Sequence, residues 1–181
     1  MPDPTLRTEG LVLRPFVPAD APDLQRLAGA YEVAVGTLNM PHPYEDGMAE
    51  EWIESQREAG EEGGGLVFAI TTETDGLVGA VGIEIVAEHQ RAELGYWVGV
   101  PYWGRGYATE ACAAVRDYAF DVLGLNRLEA QHFTRNPASG RVMEKIGMRF
   151  EGIKREHFVR FGEFVDVAVY GMLNGDPPQD T

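Results

Sequence analysis

The chain has a single cysteine, Cys112, in 181 residues, which excludes an intrachain disulfide and a thiolate metal cluster and points to a reducing, intracellular compartment. Basic residues are also scarce: 15 Lys and Arg stand against 29 Asp and Glu, a formal charge of −14. A general DNA or RNA binder needs a basic face to displace counterions, so nucleic acid is not an expected partner. An acidic field attracts cations instead, amines and basic peptides among them. Apolar runs are short as well. None approaches the ~18 residues that span a bilayer, and Met1-Pro2-Asp3-Pro4 lacks the charged and apolar regions of a signal peptide. A cytoplasmic protein with no membrane partner is the expectation. The four histidines, at 42, 89, 132 and 157, form no His-x-x-x-His pair, so no metal site is expected. A Walker loop is missing too, because no Gly-Lys-Ser/Thr occurs.

What is present suffices for one domain. Hydrophobic content of 44%, with 10% aromatic, supports a sizeable core and argues against disorder. Residues 1–9 and 174–181 read as polar, Pro-containing tails around a folded core of about 8–173. No repeat divides that core, and the Gly- and Glu-rich run 58–65 reads as a loop.

Alternation predicts a first strand at 11–15, and apolar spacing predicts a helix at 20–30. Pro41-His42-Pro43-Tyr44 is non-helical, and Asp46 is placed to cap a second helix carrying Met48, Trp52 and Ile53. Strands follow at 66–72 and 77–85 about an Asp75-Gly76 turn, then at 91–98. A long helix is expected at 106–123 with Gly124 ending it, then a strand at 127–133 and a short helix at 138–146 ended by Gly147. A closing pair of strands, 150–159 and 163–172, turns about Arg160-Phe161-Gly162. The fold class is therefore α/β, of the α+β kind: a mixed sheet of about seven strands with about four helices packed on it.

The stretch from Glu93 to Ala111 is a strand, a loop with three glycines and the start of the longest helix. Glycines let main-chain N–H groups approach an anion, and a helix N-terminus adds unpaired donors and a favourable dipole. That describes a phosphate cradle, or else an ordinary strand-to-helix turn. A dinucleotide fingerprint fits poorly: after Gly104-x-Gly106 the third glycine is replaced by Thr109, although Glu129 lies at a plausible distance for a ribose contact. Another nucleoside pyrophosphate fits better.

Tyr102-Trp103-Gly104-Arg105-Gly106-Tyr107-Ala108-Thr109-Glu110-Ala111 resembles the pyrophosphate arm of the GNAT superfamily of acetyl-CoA-dependent N-acetyltransferases. Asn136-Pro137-Ala138-Ser139, leading into a short helix that ends at Gly147-Met148, resembles that superfamily's next motif. Residues 8–15 and Pro41-His42-Pro43-Tyr44 are similar to its RimJ/RimL ribosomal-protein branch. The resemblance runs from about residue 8 to 173; it departs at Pro101, where many relatives carry Gln or Arg, and at Met148, where Phe is frequent. It implies a mostly antiparallel sheet, and an acetyl-CoA site with no metal. Its contacts would come from Trp97, Val98, Trp103, Gly104, Arg105, Gly106, Tyr107, Ala108 and Thr109, with Asn136 and Ser139 on the pantetheine side. Asn136 reads otherwise as a turn residue before a helix, and Ser139 as a serine near a helix N-cap.

Acetyl transfer to an amine needs a deprotonated amine, a stabilised oxyanion and a proton for the leaving thiolate. Glu93 is the expected base: alternation sets Glu93, Gly95 and Trp97 on one face of the strand, and desolvation beside Trp97 would raise its pKa. A solvated strand glutamate is the alternative, with Glu84 on the preceding strand as the substitute base. The oxyanion donor would be a main-chain N–H near Trp97 or Val98. By motif position Ser139 would protonate the thiolate, with Tyr170 second. Cys112, among alanines on a helix face, reads as core.

The acceptor pocket is expected from residues 31–44, including Tyr31, His42 and Tyr44, with Glu84, Trp97 and the hairpin 158–164. The expected acceptor is a primary amine, on a protein or peptide N-terminus, with a polyamine or aminoglycoside-like amine as the alternative. A non-catalytic acyl-CoA-binding module and a Rossmann oxidoreductase are the readings outside that class. The aromatic closing hairpin admits a homodimer edge.

Overall fold

The computed structural model describes residues 4–177. Eight strands form one open sheet: β1 (Leu6–Arg7), β2 (Val12–Arg14), β3 (Gly65–Thr72), β4 (Gly76–Val86), β5 (Arg91–Val98), β6 (Arg127–Phe133), β7 (Arg149–Arg160) and β8 (Glu163–Leu173). They lie in the order β1-β2-β3-β4-β5-β6-β8-β7. Every neighbouring pair is antiparallel except β5 and β6. The helices are α1 (Ala21–Ala28), α2 (Tyr31–Val35), α3 (Met48–Glu61), α4 (Tyr107–Asp117) and α5 (Pro137–Lys145). β5 must cross to its parallel neighbour β6, and α4 makes that crossover.

Alternation along the strands sorts the core onto two faces. Phe68, Ile70, Val81, Ile83, Leu94 and Leu128 meet Ala111, Cys112 and Val115 of α4 and Met143 of α5. Ala69 and Leu77 face the other way, onto Ala21, Leu24 and Leu27 of α1 and Ala49 and Ile53 of α3. Fully burying one such large side chain is worth about 1.5–3 kcal/mol, so these layers fix the sheet to its helices.

The differences from the expected elements have local causes. An eighth strand, β1, lies in the stretch read as a tail, where Leu6 and Arg7 pair with Leu13 and Val12 of β2. A fifth helix, α2, occupies five residues, too few for a period to show. Asp46 does not cap α3: Gly47 holds that place at φ 89°, and Asp46 accepts a hydrogen bond from Gln25. α3 runs on to Glu61, taking the first half of the expected loop, with Arg57 bridging Glu54 and Glu61. α4 is shorter than expected, passing after Asp117 into a π turn over Tyr118–Val122. Of the second expected tail, the Asn174 N–H reaches the Asn126 carbonyl at 2.8 Å, and residues 178–181 lie outside the described ones.

Candidate active site

β5 and β6 register from Arg91 opposite Arg127 to Leu94 opposite Ala130, and there the ladder stops. On its other edge β5 stays paired with β4 as far as Val98 opposite Gly79. Gly95 to Val98 therefore have one sheet edge satisfied and one open. Just past the strand, the Gly99 N–H donates to Val78 of β4 at 2.9 Å. Main-chain groups alternate sides along a strand, so those of Tyr96 and Val98 point at the open edge. A cleft of about 700 Å³ occupies the gap, lined by Gly95, Tyr96, Trp97, Gln131, His132, Phe133 and Ser139, with Glu84 and Glu93 along one wall. Leu38, Met40, Tyr44 and Phe158 close its far side.

At the head of the gap the chain turns from β5 into α4 through Gly104 at φ 77° and Gly106 at φ 85°. An L side chain is strained there, and a Cβ built on either glycine would stand in open space. Gly106 is the N-cap and no side chain caps the helix, so the first-turn N–H groups of Tyr107, Ala108 and Thr109 are free for an anion. The Trp103 indole N–H bonds the Val98 carbonyl at 2.6 Å, tying this loop to the open edge. Arg105 donates to the Pro101 carbonyl at 3.2 Å and lies 3.6 Å from Asp75. A loop with open space over two glycines, an uncapped helix start and a free strand edge beside it fits a pyrophosphate carrying an amide-bearing arm. Glu110, within the glycine motif, has a structural role. Its carboxylate accepts from the Thr8 hydroxyl at 2.6 Å and the Gly10 N–H at 2.7 Å, holding the β1–β2 turn against α4.

Glu93 lies opposite Glu84 on β4 and Glu129 on β6, all on the α1–α3 side of the sheet. It is exposed beside Trp97 and accepts from the Gln131 carboxamide at 2.7 Å. Glu84 is exposed as well. Ser139, in the first turn of α5, lines the cleft with its hydroxyl 2.8 Å from the Tyr96 hydroxyl. Asn136 stands at the N-cap position of α5 with no side-chain bond to the helix, and its carboxamide nitrogen would lie 3.0 Å from a Cβ on Gly36, so that glycine gives it room beside the loop after α2.

The structure places Tyr170 elsewhere. It is 6% exposed, is not among the residues lining the cleft, and donates to Glu144 at 3.1 Å. Burial, then the hydrogen bond and charge of Glu144, push its pKa up, which suits a phenol that keeps its proton. Tyr31 and His42 also stand outside the main cleft, packed edge-on against each other with ring centres 5.3 Å apart and against Phe161 at 5.8 and 6.4 Å. Tyr44 and Phe158 do line it. Cys112 is fully buried, and burial pushes its thiol pKa well up, as for a core residue.

Tyr96, Gln131 and His132 are among the cleft residues that carry no site signal in the sequence. Tyr96 is readable only as the face of β5 opposite Glu93. That this face reaches the cleft follows from the parting of two strands distant in sequence. His132 bonds the Phe133 carbonyl through Nδ1 at 2.8 Å, and its Nε2 would lie 2.7 Å from a Cβ on Gly140. Only a glycine at that point of α5 lets the helix settle on the ring.

The sheet is thus parted between its two parallel strands, with a glycine loop running into a helix at the parting. The acetyltransferase (GNAT) domain model matches residues 10–149. Over 174 residues the chain is 32% identical to the uncharacterized N-acetyltransferase YoaA of Bacillus subtilis, covering 94% of this chain and 97% of that one. It is 33% identical over 172 residues to the uncharacterized N-acetyltransferase p20 of Bacillus licheniformis, covering 93% and 96%. Among solved structures, Mycobacterium smegmatis RimJ in complex with CoA-disulfide superposes with a TM-score of 0.86 at 26% identity, covering 98% of this chain and 90% of that one. The chain belongs to the GNAT family and is an acetyl-CoA-dependent N-acetyltransferase.

Proposed function

We propose that the protein transfers the acetyl group of acetyl-CoA directly to the α-amine of a protein or peptide N-terminus. The observation that carries the acetyl-CoA half of this reading is the open edge of β5, at the main-chain groups of Tyr96 and the Val98 N–H, beside the uncapped start of α4. Main-chain groups of an unpaired strand edge hold an extended amide-bearing arm as they would hold another strand. The loop from Trp103 to Gly106 and the first turn of α4 would take the pyrophosphate, with Asn136 on the arm. The likeness to RimJ, whose structure holds CoA-disulfide, supports the donor, and the resemblance of residues 8–15 and 41–44 to the RimJ/RimL ribosomal-protein branch supports the acceptor class.

In this reading Glu93, or Glu84 beyond it, takes the first proton from the incoming ammonium. The free amine attacks the thioester carbonyl and the C–N bond forms, with the Val98 main-chain N–H at the open edge facing the developing oxyanion. The C–S bond then breaks and sulfur leaves with the electron pair. The second proton on nitrogen passes through the Ser139 hydroxyl to sulfur, so Ser139 ends as it began. The carboxylates on the cleft wall and the charge of −14 favour an acceptor that arrives positively charged.

The test measures acetyl-CoA-dependent thiol release against peptides with basic and neutral N-termini, spermidine and an aminoglycoside, in the wild type and Glu93→Gln. Peptide-dependent release that falls by about 10²-fold or more in the variant supports the assignment. Turnover confined to spermidine or the aminoglycoside overturns the acceptor class. Equal turnover in Glu93→Gln overturns the base.

A further inference from the structure

The Tyr96 hydroxyl sits between two acceptors on one residue, 2.8 Å from the Ser139 carbonyl and 2.8 Å from the Ser139 Oγ. A phenol has one proton, so at any moment it donates to only one of them. While it donates to the carbonyl, its oxygen accepts the Ser139 O–H, and the serine proton points at the tyrosine. When that proton turns to a leaving sulfur, the Tyr96 O–H is free to swing onto the Ser139 Oγ. The ring is held in place for this exchange. Tyr96 packs against the α4 layer of the core, and β5 on one side and α5 on the other hold the two residues in register.

We infer that Tyr96 is the positioning residue of the proton-transfer step, aiming the Ser139 hydroxyl and following its change of partner as the C–S bond breaks. The inference rests on the proposed role of Ser139. No proton is lost from Tyr96. The serine gives its proton to sulfur and regains one from the nitrogen that has attacked, while the phenol changes only the oxygen to which it donates. Burial of Tyr96 strongly disfavours a phenolate and keeps the group a donor throughout. The anion that would form if Ser139 lost its proton first is the species that the Tyr96 O–H stabilises most, because a hydrogen bond to a charged oxygen is roughly twice as strong as to a neutral one.

The experiment compares wild type, Tyr96→Phe, Ser139→Ala and the double variant for kcat, for KM of acetyl-CoA, and across pH, using the best peptide acceptor. Tyr96→Phe keeps the ring in the core, and its melting temperature and its rise on adding acetyl-CoA report an intact fold and donor site. Tyr96→Phe is expected to lower kcat about tenfold with KM unchanged, and Ser139→Ala about 10²-fold or more. The double variant should be no slower than Ser139→Ala, because the tyrosine acts only through the serine. The Tyr96→Phe deficit should shrink towards acid pH, where solvent can supply the proton; a purely structural loss would be the same at every pH. A Tyr96→Phe enzyme with wild-type kcat, a loss that multiplies with that of Ser139→Ala, or a chain that no longer folds overturns the inference. If Ser139→Ala itself turns over like wild type, the assignment of Ser139 falls, and that outcome is distinct from an active-serine enzyme indifferent to Tyr96.

Discussion

Gly106 stands at φ 85° at the N-cap of α4 with open space where a side chain would be. Valine there would adopt a left-handed conformation that costs an L residue roughly 1–2 kcal/mol, and its branches would stand over the first-turn N–H groups. Gly106→Val is therefore expected to lose stability of that order in urea titrations and to weaken acetyl-CoA binding in calorimetry by more than the stability loss explains. Cys112 offers the opposite expectation. It is fully buried with its thiol pKa pushed up, so it should resist alkylation in the native protein even at mildly alkaline pH. Cys112→Ala should cost about 1 kcal/mol of stability as a small cavity, and leave turnover unchanged because transfer needs no covalent intermediate. A large loss of kcat in that variant would contradict direct transfer.

Between elements, two charged residues tie segments that the sequence leaves apart. The Arg160 guanidinium, at the tip of the β7–β8 hairpin, donates to the carbonyls of Ala34 and Met40 and lies 4.1 Å from the Phe161 ring centre. It thereby joins the hairpin to α2 and to the loop that walls the cleft. Arg160→Ala should raise KM for the acceptor more than KM for acetyl-CoA, and steady-state kinetics with each substrate varied would show it. Asp20 works at the start of α1. Burial alone would raise its pKa, but the two hydrogen bonds from Arg14, the Val17 N–H and the Arg14 charge outweigh that and hold it below the usual range. A carboxyl depressed in the folded state adds stability above its unfolded pKa near ~4, and the gain is lost as pH falls through the lower folded value. Urea midpoints should drop on acidification through that window, and Asp20→Asn should remove that part of the pH dependence.

Legibility follows the length of the local signal. β5 and β6 fall on the residues that alternation predicts, because eight and seven residues carry several periods each. β1, two residues long, and α2, five, have no period to read and exist through their contacts. The glycine loop is readable because its constraint is local: φ at Gly104 and Gly106 and the helix start beside them. The cleft is not, since it arises where β5 and β6 part after Leu94, a relation between strands that no window of sequence contains. The same gap explains why the sequence points to Tyr170 as a donor and is silent on Tyr96: only the packing of α5 decides which tyrosine meets Ser139.

For the molecule as a whole, the proposed function sets the donor at the glycine-loop end of the gap and the acceptor at the other, with acidic side chains along the wall. A charge of −14 steers a cationic acceptor inwards, so kcat/KM for a basic peptide should fall as salt rises, and that for a neutral peptide should change little. Transfer to an N-terminal α-amine is decided by incubating the protein and acetyl-CoA with a peptide bearing both a free N-terminus and an internal lysine, then locating the acetyl group by fragmentation mass spectrometry. A single acetyl group on the α-amine is the predicted result. Acetylation at the lysine alone, or none on any peptide while a small diamine is acetylated, would contradict it.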